Sequence, residues 1–407
     1  MTVSVARYIR RNVDLSLVIA VMCLAIFGIL MIYSATRDPE TGSSSDLYVQ
    51  QAVWMLCATI ALGVTMFVPL KVFHTGAYTI YGAAILLLVI VLGLGAGRWI
   101  RWGAVGMQPS EVAKIATVLA LARYLSTRGV DLERPMHVAA SFALILAPMG
   151  LVRKQPDLGT ALVFGAILLP MLYWAGLRPL HLFFLASPLL TGLCAFRTVS
   201  LGGVILLLAV VVYLTRPGLL ITVALGLSNL IGALAVPFLW DHKLHEYQRK
   251  RILSFLNPEG DVLGSAYQSM QSKVAIGSGG LTGKGFMQGT QTKLAFLPEH
   301  HTDFIFSVVG EELGFVGAMV VLALFLYVIW RAVRIAAAAR NKFASLTAVG
   351  LATILIYHVF VNIGMTVGVM PVTGVPLPFL SYGGSSLVTN MMLIGLLVNI
   401  NAHRHEY

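Results

Sequence analysis

Glu299, His300, His301, Thr302 and Asp303 stand side by side immediately ahead of a long apolar run that begins at Phe304. A carboxylate at that place suits two jobs. It can take a proton from an attacking hydroxyl, because a base within hydrogen-bond reach turns a poor nucleophile into a competent one. It can equally cap the helix that follows by accepting from its free amides. Desolvating ionisable groups beside a membrane-length segment is costly, which marks the stretch as a candidate site, and the residues alone leave both readings of Asp303 open.

Other charges fall where apolar residues would be expected. Glu111 and Lys114 are three residues apart, so on a helix they share a face and can pair. Left charged and alone in lipid, each would cost about 3 kcal/mol, which turns them toward the bundle interior, either as a brace or as support for a cavity. In KQPDLGTA, residues 154–161, Asp157 can cap the next helix, and Lys154 lies close to Arg153. With Arg98 and Arg101 these cations could bind an anionic headgroup. They could also simply pair with nearby carboxylates.

Two further stretches are irregular. GSGGLTGKG, residues 277–285, resembles a phosphate loop but lacks its pattern: Ser278 stands where the first glycine belongs, and Gly285 follows Lys284 in place of Ser or Thr. No nucleotide is therefore expected, and the glycines allow tight turns or close approach to a ligand. MPVTGVPLPFLSYGGSS, residues 370–386, is uncharged and rich in Pro and Gly. Such backbone at membrane depth must be buried in protein or line a wet cavity, so it reads as a cavity wall or a re-entrant element.

The elements that position these residues are apolar helices. Of 407 residues, 58% are hydrophobic and 11% charged, and mean hydropathy is +0.84. A soluble domain would carry about 25% charged residues. Spanning-length apolar segments occur near 13–34, 49–69, 75–96, 109–125, 136–153, 158–175, 180–196, 200–215, 217–240, 304–330, 344–368 and 384–402. The expectation is an all-α polytopic bundle of 10–12 spans forming one membrane domain over 1–407, with a large extracytoplasmic loop, 241–303, before the TDFIF helix. Two of the segments in 180–240, if joined as a re-entrant hairpin, give the lower count. Cys23, Cys57 and Cys194 lie in apolar runs without disulfide or metal-ligand spacing.

The net charge of +11 is spread over short loops. That suits topology and contact with anionic membrane lipid, not nucleic acid. Lys and Arg bias puts both termini in the cytoplasm and leaves Arg98, Arg101, Arg153 and Lys154 outside. The first apolar run is too long for a signal-peptide core and reads as a retained helix.

Taken together, QPSEVAK at 108–114, KQPDLGTA at 154–161, IGSGGLTGKG at 276–285, PEHHTDFIFSVVGEELGFVG at 298–317 and PLPFLSYGGSS at 376–386 resemble the SEDS family of membrane peptidoglycan polymerases, which comprises FtsW, RodA and SpoVE. The match runs in order over nearly the whole chain. GMTVGVMPVTGVPLPFLSYGGSS is similar to the elongation branch, RodA. Thr373 stands where the division branch usually has lysine, and Ala295 where it often has an acidic residue.

The resemblance implies a peptidoglycan glycosyltransferase in the bacterial cytoplasmic (inner) membrane, with its active site extracytoplasmic. It would join lipid II to a glycan carried on undecaprenyl pyrophosphate, with inversion and release of the pyrophosphate lipid. It also implies that Asp303, in TDFIF, is catalytic. Arg98, Arg101, Lys154, Gln271, Lys284, Ser381 and Tyr382 are the expected substrate-binding residues, with Glu111, Lys114 and Asp157 in support. Charge on the leaving pyrophosphate would be offset by those cations or by a divalent Mg or Mn ion, whose ligands the sequence leaves unknown. A class B penicillin-binding protein is the expected partner. A lipid II flippase and a non-catalytic scaffold for such a partner are the alternatives. Midplane ionisable groups and repeat symmetry, which would favour a transporter, are not evident.

Overall fold

The structure, a computed structural model, describes residues 14–37, 46–95, 97–102, 105–242, 246–256, 265–293 and 301–404. Glu299, His300 and Ala295 lie outside the described residues, as do parts of the 241–303 loop and the side chain of Arg101.

In chain order come α1 (Leu15–Ala35), α2 (Leu47–Phe67) and α3 (Leu70–Gly93). A short hairpin of β1 (Ile100–Trp102) and β2 (Val105–Met107) follows, then α4 (Pro109–Ser126), α5 (Pro135–Lys154), α6 (Leu158–Trp174), α7 (Pro179–Cys194), α8 (Thr198–Thr215) and α9 (Leu219–His242). Next are α10 (Glu246–Leu256), α11 (Ser265–Ser278), α12 (Thr290–Lys293), α13 (Ile305–Ala338), α14 (Lys342–Thr366) and α15 (Gly384–Ala402). All twelve apolar segments are helical. The hairpin, paired antiparallel with Arg101 opposite Gly106, is a small departure from an all-helical chain.

Among the described residues, nine helices are long and apolar enough to cross a membrane. The other three predicted segments differ for stated reasons. Helices α6 and α7 have 17 and 16 residues, and α4 carries Glu111, Lys114 and Arg123. Proline at the first helical turn, where no amide partner is lost, starts α4, α5 and α7.

The chain forms two compact units, Gly176–Leu253 and the remainder. In the smaller unit, 180–240 is three separate helices, α7, α8 and α9. Helices α7 and α9 approach closely at Gly192 and Gly232. Asn229 on α9 donates to Ser187 Oγ at 3.0 Å and accepts from Thr191 Oγ1 at 2.6 Å. Small residues with interhelical polar contacts are how helices associate where lipid supplies no hydrophobic drive.

In the larger unit α4 touches α3, α5, α6, α14 and α15. Its residues are buried from Pro109 to Leu125 apart from Val112, Arg123 and Tyr124. A helix too charged for lipid is thus sheathed by other helices. Helix α14 is similarly enclosed.

Helix α13 is the element on which the site depends. Its 34 residues would run about 51 Å if straight, far beyond a bilayer core of about 30 Å. It breaks at Gly314, whose φ of 66° and ψ of −162° lie where glycine alone is at ease. The glycine run of residues 279–285 enters the break. Lys284 and Gly285 donate their amides to the carbonyls of Glu311 and Glu312 at 3.0 and 2.9 Å. Phe315 and Val316 donate theirs to the carbonyls of Gly280 and Leu281 at 2.9 and 3.1 Å. Groups orphaned by the kink are thereby satisfied within the protein, as membrane depth requires. The close approach expected of these glycines is to this helix, at Gly279, Gly283 and Gly314, where a Cβ would collide with the facing backbone.

Candidate functional site

Asp303 ends the turn that leads into α13 and is half-buried. The cap position of α13 belongs to Phe304, which has no side-chain acceptor. Phe304 instead anchors the turn, packing with Met365 and Val372 in a buried cluster.

Three hydrogen bonds fix the main chain here. Tyr382 donates its amide to the His301 carbonyl at 3.0 Å. Asn362 Nδ2 donates to the Asp303 carbonyl at 2.9 Å and to the Val375 carbonyl at 2.8 Å. The turn at 301–304 is therefore held against the Pro-rich segment 371–383 at both ends. Asn362 carries no chemistry and is 59 residues from Asp303, and no spacing signal in the sequence points to it.

The segment 371–383 is shaped by its own residues. Ser381 Oγ accepts from the Leu377 amide at 2.8 Å, so one of the expected substrate ligands closes its own turn. Gln51 on α2 brackets this corner. It donates to the Ser381 carbonyl at 3.3 Å and accepts from the Gly383 amide at 3.1 Å. Tyr382 donates its hydroxyl to Gln50 Oε1 at 2.8 Å, its ring centroid lies 6.0 Å from that of His301, and burial pushes its phenol above the usual range. It therefore remains a donor at neutral pH.

Asp157 caps α6, with Oδ1 accepting from the Thr160 amide at 3.0 Å and Oδ2 from Gln108 Nε2 at 3.2 Å. Arg98 lies beside it at 3.7 Å, donating also to the carbonyls of Gln155 at 3.2 Å and Pro156 at 2.5 Å. Its guanidinium gathers the turn between α5 and α6. Arg98 is still 41% exposed at the side chain, and Lys154 next to that turn is exposed. Gly159 packs against Thr373 and Val375, so the Asp157 turn and the Asp303 turn meet the same Pro-rich segment.

Glu111 and Lys114 pair at 2.9 Å as their spacing predicts. A third member, His358 on α14, lies 2.9 Å from Lys114 Nζ through its Nε2. His358 Nδ1 contacts the Ile354 carbonyl at 2.7 Å. A carbonyl only accepts, so Nδ1 bears the proton and Nε2 receives the ammonium hydrogen. His358 and Asn362 are four apart on one face of α14. Four residues further, the Thr366 carbonyl accepts from Ser272 Oγ on α11 at 2.6 Å, and Ser272 in turn meets Ser307 Oγ of α13 at 2.6 Å.

Gln271 is half-exposed beside that contact, on α11. Lys284 is otherwise engaged: its Nζ lies 2.7 Å from both Glu311 Oε1 and Thr290 Oγ1. Glu311 is fully buried and also accepts from the Gln291 amide at 2.9 Å. The lysine thus neutralises a protein carboxylate, with 25% of its side chain still exposed. Glu312 accepts from Ser34 of α1 at 2.6 Å. Neither contact partner of the two glutamates is signalled by sequence spacing. Among the described residues no three His, Cys, Asp or Glu side chains gather as a metal cage. From the described residues alone, a divalent ion would draw most of its oxygens from substrate phosphates.

A family model described as cell cycle protein, covering FtsW, RodA and SpoVE, matches residues 14–202 and 197–406. The peptidoglycan glycosyltransferase MrdB of Escherichia coli K12 is 36% identical over 97% of this chain and 94% of its own. A probable peptidoglycan glycosyltransferase FtsW of Trichlorobacter lovleyi is 35% identical over 96% and 93%. Among solved structures, a chain of a peptidoglycan synthase complex that coordinates polymerization and crosslinking is 30% identical with a TM-score of 0.73, covering 98% of this chain and all of that one.

Proposed function

The chain belongs to the FtsW, RodA and SpoVE family, and from that premise we propose that it is a peptidoglycan glycosyltransferase that polymerises lipid II, in the elongation branch. The observation that carries the mechanism is the Asp303 turn, half-buried at the start of a broken helix and tied at both ends to one irregular segment.

Asp303 acts as the general base. The 4-hydroxyl of the acceptor sugar attacks the anomeric carbon of the other glycan, and its proton passes to the Asp303 carboxylate as the new C–O bond forms. The bond from that carbon to the undecaprenyl pyrophosphate oxygen breaks and the lipid departs with both electrons. A single displacement inverts the centre. Pyrophosphate is a good leaving group, so no second carboxylic acid of the glycosidase kind is needed. Arg98, Arg101 and Lys154 offset its charge, since fixed cations aimed at developing charge lower the barrier. Gln271 is available to sugar and phosphate oxygens, the Tyr382 hydroxyl oxygen can accept from a sugar hydroxyl while it donates to Gln50, and Glu111, Lys114 and Asp157 hold the surrounding helices in place.

The protein works in the bacterial cytoplasmic membrane as a multi-pass protein, with both termini cytoplasmic and the site facing out. A class B penicillin-binding protein is its partner, by analogy with the synthase complex to which the chain is similar. The test is polymerisation of labelled lipid II by purified, membrane-reconstituted protein without that partner. Asp303→Asn should lower the rate by about 10²–10⁴-fold; full activity in that variant removes the base. Polymerisation by the lone chain also argues against a flippase or a scaffold. A divalent ion is part of the proposal only if chelation lowers the rate and added Mg or Mn restores it.

A further inference from the structure

We infer that Asn362 is a positioning residue for the Asp303 carboxylate, setting its reach by tying the Asp303 main chain to the Pro-rich segment opposite. The inference rests on Asp303 being the base. Asn362 is fully buried, at 0% exposure, near the C-terminal end of the enclosed helix α14. Both hydrogens of its amide nitrogen are spent on main-chain carbonyls, Asp303 at 2.9 Å and Val375 at 2.8 Å. Because carbonyls only accept, the orientation of the amide is forced.

The other half of the same amide finds nothing. Asn362 Oδ1 is buried without a hydrogen-bond partner among the described residues. An unmet acceptor costs its desolvation, a penalty that the two donor bonds to main-chain carbonyls must offset. What asparagine adds is the pair of donors, and their two targets are the ends of a bridge. On one side is the residue that bears the carboxylate. On the other is Val375, which also packs on Gly159 of the Asp157 turn.

An aspartate has a short side chain with two torsions. Where its main chain stands therefore decides where its oxygens can go, and a misplacement of about 1 Å at a reacting group costs about 10²-fold in rate. The Tyr382 amide holds the His301 end of the turn. Asn362 holds the Asp303 end and, four residues from His358 on α14, keeps it in register with the Lys114 and Glu111 pair.

The experiment uses full-length reconstituted protein, fluorescent lipid II, and Asn362→Leu beside Asn362→Ser, with melting temperature and KM measured on the same preparations. The serine variant keeps the test should leucine fail to fold. Positioning predicts kcat lower by about 30–100-fold in folded protein, with KM within about twofold; leucine, which leaves the Asp303 and Val375 carbonyls without their donor, should lower the melting temperature, so rates are compared per folded protein. In an Asp303→Asn background, Asn362→Leu should lower the residual rate no further. A folded Asn362 variant with kcat within about threefold of wild type overturns the inference, as does a rate loss that vanishes once corrected for folded fraction. If Asp303→Asn is inactive while the Asn362 variants polymerise normally, only the positioning role falls. If Asp303→Asn still polymerises, the base assignment falls and takes the positioning role with it.

Discussion

Lys114 is 2% exposed, yet its ammonium has two partners of different kinds, the Glu111 carboxylate and the neutral His358 ring. Removing one member of a buried pair strands the other, at about 3–5 kcal/mol, whereas replacing both with apolar groups is often neutral. Glu111→Leu alone should therefore lower the melting temperature in detergent sharply, and Glu111→Leu with Lys114→Met should recover most of the loss. A single variant that melts like wild type would sink this account of the pair. At this scale the sequence was half legible. Spacing of three on one helix announces the ion pair, because neighbours on a helix meet whatever the tertiary fold. His358 and Asn362 reach partners 244 and 59 residues away, and no local period encodes such meetings. The Lys284 pairing is hidden for the same reason, since its carboxylate partner Glu311 is supplied by the next long helix.

Helix α13 ties the proposed base to the rest of the bundle. The turn that leads into it carries Asp303, and its break is closed by the glycine run. Gly314→Ala would put a Cβ into the backbone at Leu281 and Gly283 and force alanine into a region that costs about 1–3 kcal/mol even in open space. Thermal melting should drop, and lipid II polymerisation with it, since the segment before the break would no longer be braced. Wild-type melting and activity would show that the break tolerates a side chain. The unusual glycine density before TDFIF was visible in the sequence, and so was its failure as a phosphate loop. That the close approach is to this chain's own helix was not, because a collision is a property of two segments and the pattern shows only one.

The family and the helical architecture were legible from end to end, through five ordered motifs and twelve apolar segments, because both are written in contiguous residues. The division of the larger molecule was less so. Only Arg197 with Thr198, and Arg216 with Pro217, separate the three segments of 180–240, too little punctuation to tell three helices from a re-entrant pair. Sidedness remains a matter of charge bias and can be measured directly. With Cys23, Cys57 and Cys194 replaced by alanine, Lys154→Cys should react with an impermeant maleimide on intact cells, and Arg404→Cys only after permeabilisation. The reverse pattern would invert the bundle and remove the extracytoplasmic site.

The filled break in α13 also has a bearing on biogenesis. Residues 279–285 leave the ribosome before Gly314 does, so the patch is already made when the flaw it covers enters the bilayer. Were the gene divided just ahead of Ile305, the later fragment would insert a spanning helix with bare amides facing acyl chains. It should then be cleared by quality-control proteases unless the earlier fragment is expressed beside it.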